Sequence, residues 1–450
     1  MKQLPTLYEQ RMKSLLGEEF ESYLSELQNP PVKAFRVNTD KISLEDFEKI
    51  NVFGKEKIPY VDNGYYLDFE KVGNHPYHHA GLIYVQEPAA MAPAECIDIN
   101  PDWRVLDMCA APGGKSTQLK NKLGENGVLI SNEIIPSRCK ILTGNIERLG
   151  LTNTVTTCMD TGKLARIFED TFDLIMVDAP CSGEGMFRKE EIAIAEWSQE
   201  NVALCAKRQA EILENAVKAL KSGGYIIYAT CTFSLEENEM TVDAFLQNHP
   251  DFEIVPVNEN AAKYTCDGIK FEGCKCENIH LARRFYPHKA KGEGQFMAVL
   301  HHKGESVTAT PYTPAHTKTE KQVTDFLLDT LVEYNPNYLL KYSGKPIYYN
   351  NMLPIKDGQA FCCGVTIGEI KKNYILPHHQ FFMALSNKFK RKINLPLESE
   401  SLAKYLRGEE FDTECQNGWA VVLVDGFALG GAKVVNGKAK NHYPKGLRKQ

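Results

Sequence analysis

Residues 104–118, RVLDMCAAPGGKSTQ, decide how the rest of the chain is read. A short apolar run (Val105, Leu106) ends on Asp107, a small-residue turn passes from Cys109 to Gly114, and a helical pattern opens at Lys115. Strand, glycine turn and helix start in that order form the nucleotide-binding corner of an open α/β sheet. Pro112 cannot continue the strand, and Gly113 and Gly114, lacking a Cβ, let a ligand approach the backbone closely. Three ligands compete for such a corner. A P-loop needs glycine where Cys109 stands, so the phosphate cradle is incomplete, and the dinucleotide pattern G-x-G-x-x-G is absent. S-adenosylmethionine asks for a strand-end acid, a small-residue turn and a second acid on the next strand. GVLISNEI (127–134) supplies that acid as Glu133, whose carboxylate can accept both ribose hydroxyls. The methyl donor fits best. A nucleotide hydrolase stays the rival, because LIMVDAP (174–180) passes for a Walker B strand.

The chain's 450 residues suggest two or three domains, and 43% hydrophobic with 24% charged residues is an ordinary globular composition. A formal net charge of −6 argues against a surface coated in basic residues but leaves local basic patches open. Thirteen cysteines without regular spacing, behind a polar start that is no export signal, point to reduced thiols in the cytoplasm. No apolar run approaches the ~20 residues that span a bilayer.

Residues 1–92 read as an α/β lead-in, with helical patterns at 6–27 and 43–50 around the strand-like AFRVN (34–38). Lys33, Arg36 and Lys41 there suit either phosphate contacts or a solvated edge. Residues 93–303 alternate strands (104–108, 127–133, 153–158, 173–178, 224–231, 252–257, 295–302) with helices (115–123, 136–149, 198–221, 235–248). The expected product is a doubly wound parallel sheet, its last two strands a hairpin at one edge across an irregular connection, 258–294. Residues 304–321, rich in Thr and Pro, read as a linker. Residues 322–450 read as a small β-rich module, with strand runs KPIYY and AVVLVDGFALGGAKVV and helices at 322–333 and 399–407. Two basic clusters lie in it: Lys388, Lys390, Arg391 and Lys392, then Lys433, Lys438, Lys440, Lys445, Arg448 and Lys449. With Phe389 and Tyr443 interleaved, they suit phosphates for affinity and aromatics for base stacking.

Two thiols fall where a parallel sheet delivers reactive groups: Cys181 in VDAPCSGEG (177–185) and Cys231 in YATCTFSLEENE (228–239). Carbon-5 of a pyrimidine is too weak a nucleophile to take a sulfonium methyl directly. A thiolate added at carbon-6 pushes electron density onto carbon-5, and after methylation the carbon-5 proton must leave before the thiol departs. Asp178, beside Pro180, suits a hydrogen bond to ring nitrogen N3, which as an acceptor favours cytosine over uracil. Spacing does not decide which thiol attacks. Asp160, ending TTCMD, fits either an adenine contact or a helix N-cap. Lys115 fits a countercharge to the methionine carboxylate or a solvated helix start. Cys266, Cys274 and Cys276 lack a paired C-x-x-C spacing, so no metal is expected.

CAAPGGKS, NEIIPSRCKILTGNIERLG, DAPCSGEGMFRK and GGYIIYATCTFSLEENE, in this order over 84–303, resemble the NOL/NOP/Sun RNA 5-methylcytosine methyltransferases. The flanks, FRVN and GGAKVVNGKAKNHYPKGLR, resemble the branch acting on bacterial small-subunit ribosomal RNA, methyltransferase F. The resemblance implies a Rossmann-like class I methyltransferase domain with a PUA-like, RNA-binding C-terminal module. It implies that Cys109, Ala110, Ala111, Pro112, Gly113, Gly114, Lys115, Glu133, Asp160 and Asp178 bind S-adenosylmethionine or line its pocket. It also implies that Cys231 is the nucleophile and Cys181 assists product release. The partner expected is ribosomal RNA, 16S rRNA or the small subunit, with the target base flipped into the pocket. A catalytically silent RNA-binding assembly factor is the second rival.

Overall fold

The order in which apolar strands pair, rather than any single strand, creates the site. In the computed structural model, which describes residues 4–305, 320–348, 355–356 and 358–448, the first helical pattern is two helices, Thr6–Leu16 and Phe20–Glu26. Gly17 parts them with a left-handed φ of +54° that glycine adopts without strain. Strands β1 (Ala34–Val37), β2 (Gly64–Tyr66) and β3 (Ile83–Val85) then form an antiparallel sheet with β1 in the middle.

The central sheet holds β4 (Arg104–Asp107), β5 (Val128–Asn132), β6 (Thr154–Thr157), β7 (Phe172–Asp178), β8 (Leu220–Thr230), β9 (Phe252–Val255), β10 (Cys266–Asp267), β11 (Arg283–Phe285) and β12 (Gln295–His302). Their order is β10-β11-β12-β8-β7-β4-β5-β6, with β9 also on β12. From β6 across to β8 every pairing is parallel, while β12 runs antiparallel to β8. The chain leaves β4 toward β5 and β6, then returns to the other side for β7 and β8. That reversal opens a crevice above the carboxyl ends of β4 and β7. Leu106, Ile130, Ile175 and Ile226 are fully buried on one face of the sheet, and Leu129, Leu174, Met176 and Ile227 on the other. Each such side chain contributes about 1.5–3 kcal/mol by leaving water.

Three details differ from the sequence reading. β8 starts at Leu220 rather than 224, because Lys221 pairs at 2.7 Å with Asp173 of β7 and fixes the strand's start. The helix expected over 235–248 starts at Glu239, since the Asn238 side chain turns back, its Oδ1 accepting from the Thr230 hydroxyl at 2.6 Å and its Nδ2 donating to the Thr232 carbonyl at 3.0 Å. β9 does pair with β12, but 258–294 also contributes β10 and β11, so the sheet continues past β12 instead of ending in a hairpin. Buried Arg284 of β11 pins that extension, pairing with buried Glu239 and donating to the Phe233 carbonyl at 2.9 Å.

Beyond residue 320, the short strand Cys362–Cys363 pairs with β6 and lengthens the central sheet at its far edge. A five-stranded sheet follows in the order Lys392–Leu395, Gly418–Val424, Phe427–Val435, Lys438–Asn441, Phe411–Asp412. Its long hairpin turns at Asp425–Gly426, where φ values of +47° and +90° suit a two-residue loop. This sheet shares a buried core with the N-terminal region, Phe35, Phe47 and Phe53 meeting Leu402, Tyr405 and Val422, and the Tyr77 hydroxyl donates to Asp425 at 2.8 Å. Most of the linker read at 304–321, the last residue of KPIYY, and Lys449 lie outside the described residues. Among the described residues no helix is long and apolar enough to cross a membrane.

Candidate active site

β4 delivers Asp107 fully buried at the crevice. Its Oδ2 accepts from the Ser116 hydroxyl at 2.6 Å, while its other oxygen is buried with no protein partner. Burial pushes this carboxyl up to about 7. The following turn is tied to its neighbours through main-chain groups: Met108 N–H to the Met176 carbonyl (2.9 Å) and Ala110 N–H to the Asn132 carbonyl (2.8 Å). Side chains of the Pro136–Leu149 helix hold its outer rim, Arg138 donating to the Ala111 carbonyl at 2.9 Å and Asn145 to the Pro112 carbonyl at 3.0 Å. Gly113, at φ +113°, then swings the chain into the Gly114–Lys122 helix. Half-buried Cys109 faces this loop, and burial pushes its thiol up.

Glu133, just past β5, is buried, accepts from the Ile135 N–H at 2.9 Å and meets Arg138 at 3.3 Å. Asp160 is exposed and accepts from Gly162 N–H (2.9 Å) and Lys163 N–H (3.1 Å), so it caps the Thr161–Ile167 helix. Lys115 does not face solvent: it is 7% exposed and its ammonium sits 2.8 Å from Asp178 Oδ2. Burial alone would lower the lysine's pKa, yet the charge and hydrogen bond of Asp178, with Cys231 and Asp107 nearby, leave it raised.

The two thiols meet. Cys181 Sγ and Cys231 Sγ are 3.2 Å apart, both half-buried and both free of disulfides. The neighbouring Cys231 sulfur and then burial push the Cys181 thiol well up. A bracket that sequence reasoning missed sets this spacing. Fully buried Glu237 accepts from the Ser182 N–H (2.9 Å), the Ser182 hydroxyl and Gln209 Nε2 (2.9 Å). The Ser182 hydroxyl also meets that of Thr232 at 2.8 Å, and Gln209 donates to the Pro180 carbonyl at 3.0 Å. The carboxyl therefore holds Ser182, next to Cys181, and Ser182 in turn holds Thr232, next to Cys231; burial raises that carboxyl to about 7. A glutamate seven residues after the end of β8 carries no spacing signal; only its place inside an otherwise catalytic-looking block could have drawn notice.

Several residues expected on a nucleic-acid surface are elsewhere. Arg36 is buried and donates to Gln86 Oε1 (2.8 Å), the Gly114 carbonyl (2.7 Å) and Thr117 Oγ1 (2.9 Å), so it braces the cofactor corner from β1. Lys41 donates to the Ala80 carbonyl at 2.6 Å, and burial drops it to about 7. Lys33 remains exposed. Phe389 and Tyr443, expected to stack bases, are 1% and 2% exposed and belong to cores. The basic cluster around Phe389 is largely engaged: Lys390 donates to the Leu328 carbonyl, Arg391 pairs with Asp329 at 2.8 Å, and Lys392 donates to the Asn387 carbonyl at 3.0 Å. Cys274 Sγ lies 3.6 Å from an Asp243 oxygen, and among the described residues no cluster of three His, Cys, Asp or Glu side chains is placed to hold a metal.

Family models match three parts of the chain. The model for 16S rRNA methyltransferase RsmB/F matches residues 94–301, the N-terminal domain of 16S rRNA methyltransferase RsmF matches 4–88, and the methyltransferase RsmF PUA domain matches 392–449. Ribosomal RNA small subunit methyltransferase F of Klebsiella pneumoniae is 30% identical over 456 residues, covering 95% of this chain and 92% of that one. Its counterpart in Vibrio parahaemolyticus is 29% identical, covering 99% and 97%. Among solved structures, a methyltransferase homolog protein from Pyrococcus horikoshii is similar with a TM-score of 0.59 and 30% identity, over 66% of this chain and 95% of that one. NSun6 from the same organism shares the fold, with a TM-score of 0.57 and 22% identity over 68% and 100%.

Proposed function

The chain belongs to the ribosomal RNA small subunit methyltransferase F family, and from that premise we propose that it methylates carbon-5 of a cytosine in 16S rRNA, using S-adenosylmethionine and a transient bond from Cys231 to carbon-6. The observation that carries this reading is the 3.2 Å approach of two thiols at the ends of adjacent parallel strands, beside the β4 corner.

The corner suits the donor. Asp107 presents a buried oxygen without a protein partner, and Glu133 ends the next strand, where ribose hydroxyls would find an acceptor. The backbone of Cys109, Ala110, Ala111, Pro112, Gly113 and Gly114 would line the methionine side, and Asp160 the adenine rim. When bound, S-adenosylmethionine supplies an electrophilic methyl carbon on a sulfonium.

The chain's own groups do the rest. Cys231 Sγ bonds to carbon-6 and the displaced electron pair makes carbon-5 nucleophilic. Once carbon-5 carries the methyl, its proton leaves to a base, and the returning pair expels Sγ and restores the ring. Cys181, in contact with that sulfur, assists the release. Lys115 lies within Coulombic reach of Cys231, which sets a positive charge beside the attacking sulfur. Its salt bridge also alters the role expected of Asp178. Ionised beside Lys115, Asp178 accepts rather than donates, which suits the amino group of cytosine and repels the carbonyl of uracil; the proton for ring N3 then comes from Lys115. Residues 1–92 and 322–450 would grip the RNA around the 93–303 domain while the target base is flipped out.

The hydrolase reading loses its lysine, since Lys115 is committed to Asp178. Equilibrium dialysis together with bisulfite mapping of 16S rRNA incubated with the protein tests the proposal. S-adenosylmethionine binding and a new 5-methylcytosine are expected; ATP binding without S-adenosylmethionine binding, or methylation at another atom, contradicts it.

A further inference from the structure

Phe389 and Tyr443 are buried, which leaves open what stacks on RNA at the C-terminal face. Strand register answers this. Trp419, Lys433 and Lys440 occupy one cross-strand row on three adjacent strands, Gly418–Val424, Phe427–Val435 and Lys438–Asn441. Neighbouring positions Ala432, Val434 and Ala439 point the other way, into the core shared with the N-terminal region. Trp419 is partly exposed, and Lys433 and Lys440 are exposed with no acidic partner among the described residues. The Lys433 ammonium lies over the Trp419 ring, 5.7 Å from its centre, His442 meets the ring edge-on at 5.0 Å, and Phe382 packs against it at 6.1 Å, leaving it partly exposed.

On the other side of Trp419 comes the second basic cluster. Lys392–Leu395 runs parallel to Gly418–Val424, and the Arg391 carbonyl accepts from Val421 N–H at 3.1 Å. The Arg391 guanidinium lies over Gly418, where an added Cβ would meet it at 2.6 Å. Arg391 itself is paired with Asp329, so the positive charge beside Trp419 comes from Lys433 and Lys440, and from residue 433 to the end the chain has no Asp or Glu. Strand spacing of about 4.8 Å gives the row a span of about 10 Å, room for one base between phosphates.

We propose that Trp419, Lys433 and Lys440 form a docking platform for an unpaired base of RNA and its flanking phosphates. The platform rests on the RNA-methyltransferase reading and adds to it a preference for a single-stranded element away from the reacting cytosine.

The test titrates the full-length protein with a single-stranded oligoadenylate and, separately, with a blunt RNA duplex. Of the three tryptophans, Trp197 is buried and Trp103 stacks on Tyr225, so Trp419 is placed to report base stacking by fluorescence. Oligoadenylate should quench the wild type and leave Trp419→Phe, which keeps a stacking ring, bound but unquenched. Trp419→Ala should bind about 5- to 100-fold more weakly. Lys433→Ala with Lys440→Ala should flatten the salt slope of log K by about 1.4. Unchanged S-adenosylmethionine binding and thermal unfolding show that the variants fold. Quenching that persists in Trp419→Phe, undiminished affinity in Trp419→Ala, or equal quenching by the duplex overturns the platform alone if the wild type still methylates 16S rRNA. A wild type that neither binds nor methylates RNA overturns the underlying reading with it.

Discussion

The thiol pocket and the C-terminal basic face solve opposite problems. Around the two sulfurs the carboxylates are committed: Glu237 to Ser182 and Gln209, Asp178 to Lys115, Glu184 to Trp197 and the Phe233 N–H. At the face Lys433 and Lys440 stand exposed, without counter-ions among the described residues, and one partly exposed indole rests against Phe382 and His442 with Lys433 over its ring. Chemistry at fixed atoms needs a frame that cannot relax, whereas a grip on phosphates needs charge and reach more than rigidity. Substitutions in the pocket should therefore change rates, and those at the face should change affinity and salt dependence.

The largest break in that contrast comes from Cys231→Ala, which should leave no measurable methylation, a loss on the order of 10⁴-fold or more, with RNA affinity unaffected. Rate and affinity falling together would put the sulfur in the wrong region. Asp178→Asn should reduce kcat by about 10²–10³-fold, as for loss of one aligned electrostatic contact, and should narrow the preference for cytosine over uracil substrates.

Glu237→Gln sharpens the contrast through pH. The folded carboxyl, raised to about 7 from a reference of 4.5, holds its proton more tightly than in the unfolded chain. Its contribution is full below the unfolded pKa and is lost as pH rises through 7, about 3 kcal/mol in all. Glutamine cannot titrate. Chemical unfolding of both proteins from pH 4 to 8 should show the parent losing its advantage as pH rises, and a constant gap would contradict the bracket's role. Tyr443→Phe is the smallest effect: it removes a 3.1 Å contact with His79 inside the core, so RNA affinity should stay within about 2-fold and stability fall by about 1 kcal/mol. A large affinity loss would mean Tyr443 reaches RNA after all.

The pocket was more legible in the sequence than the face, for a physical reason. Parallel strands deliver their carboxyl ends to one edge, so Asp107, Asp178, Cys181 and Cys231 could be placed together from strand order alone. Glu237 and Gln209 act from within a turn and a helix, where no periodicity marks a residue that reaches across to another loop. The face was misjudged because Phe389 and Tyr443 are neighbours of lysines along the chain, while stacking depends on neighbours across strands. Register brings Trp419 beside Lys433, fourteen residues away, and turns Tyr443 inward. Arg36 shows the same limit: its charge suggested a surface, but the Gly114 carbonyl and Thr117 needed a donor inside.

The central claim is a carbon–sulfur bond made by one cysteine and released with help from the other. Cys181→Ala incubated with 16S rRNA and S-adenosylmethionine, then digested and read by mass spectrometry, should yield a methylated cytidine adduct on the peptide holding Cys231, with none in Cys231→Ala. An adduct on the Cys181 peptide of Cys231→Ala, or full methylation by the variant lacking both thiols, would contradict it.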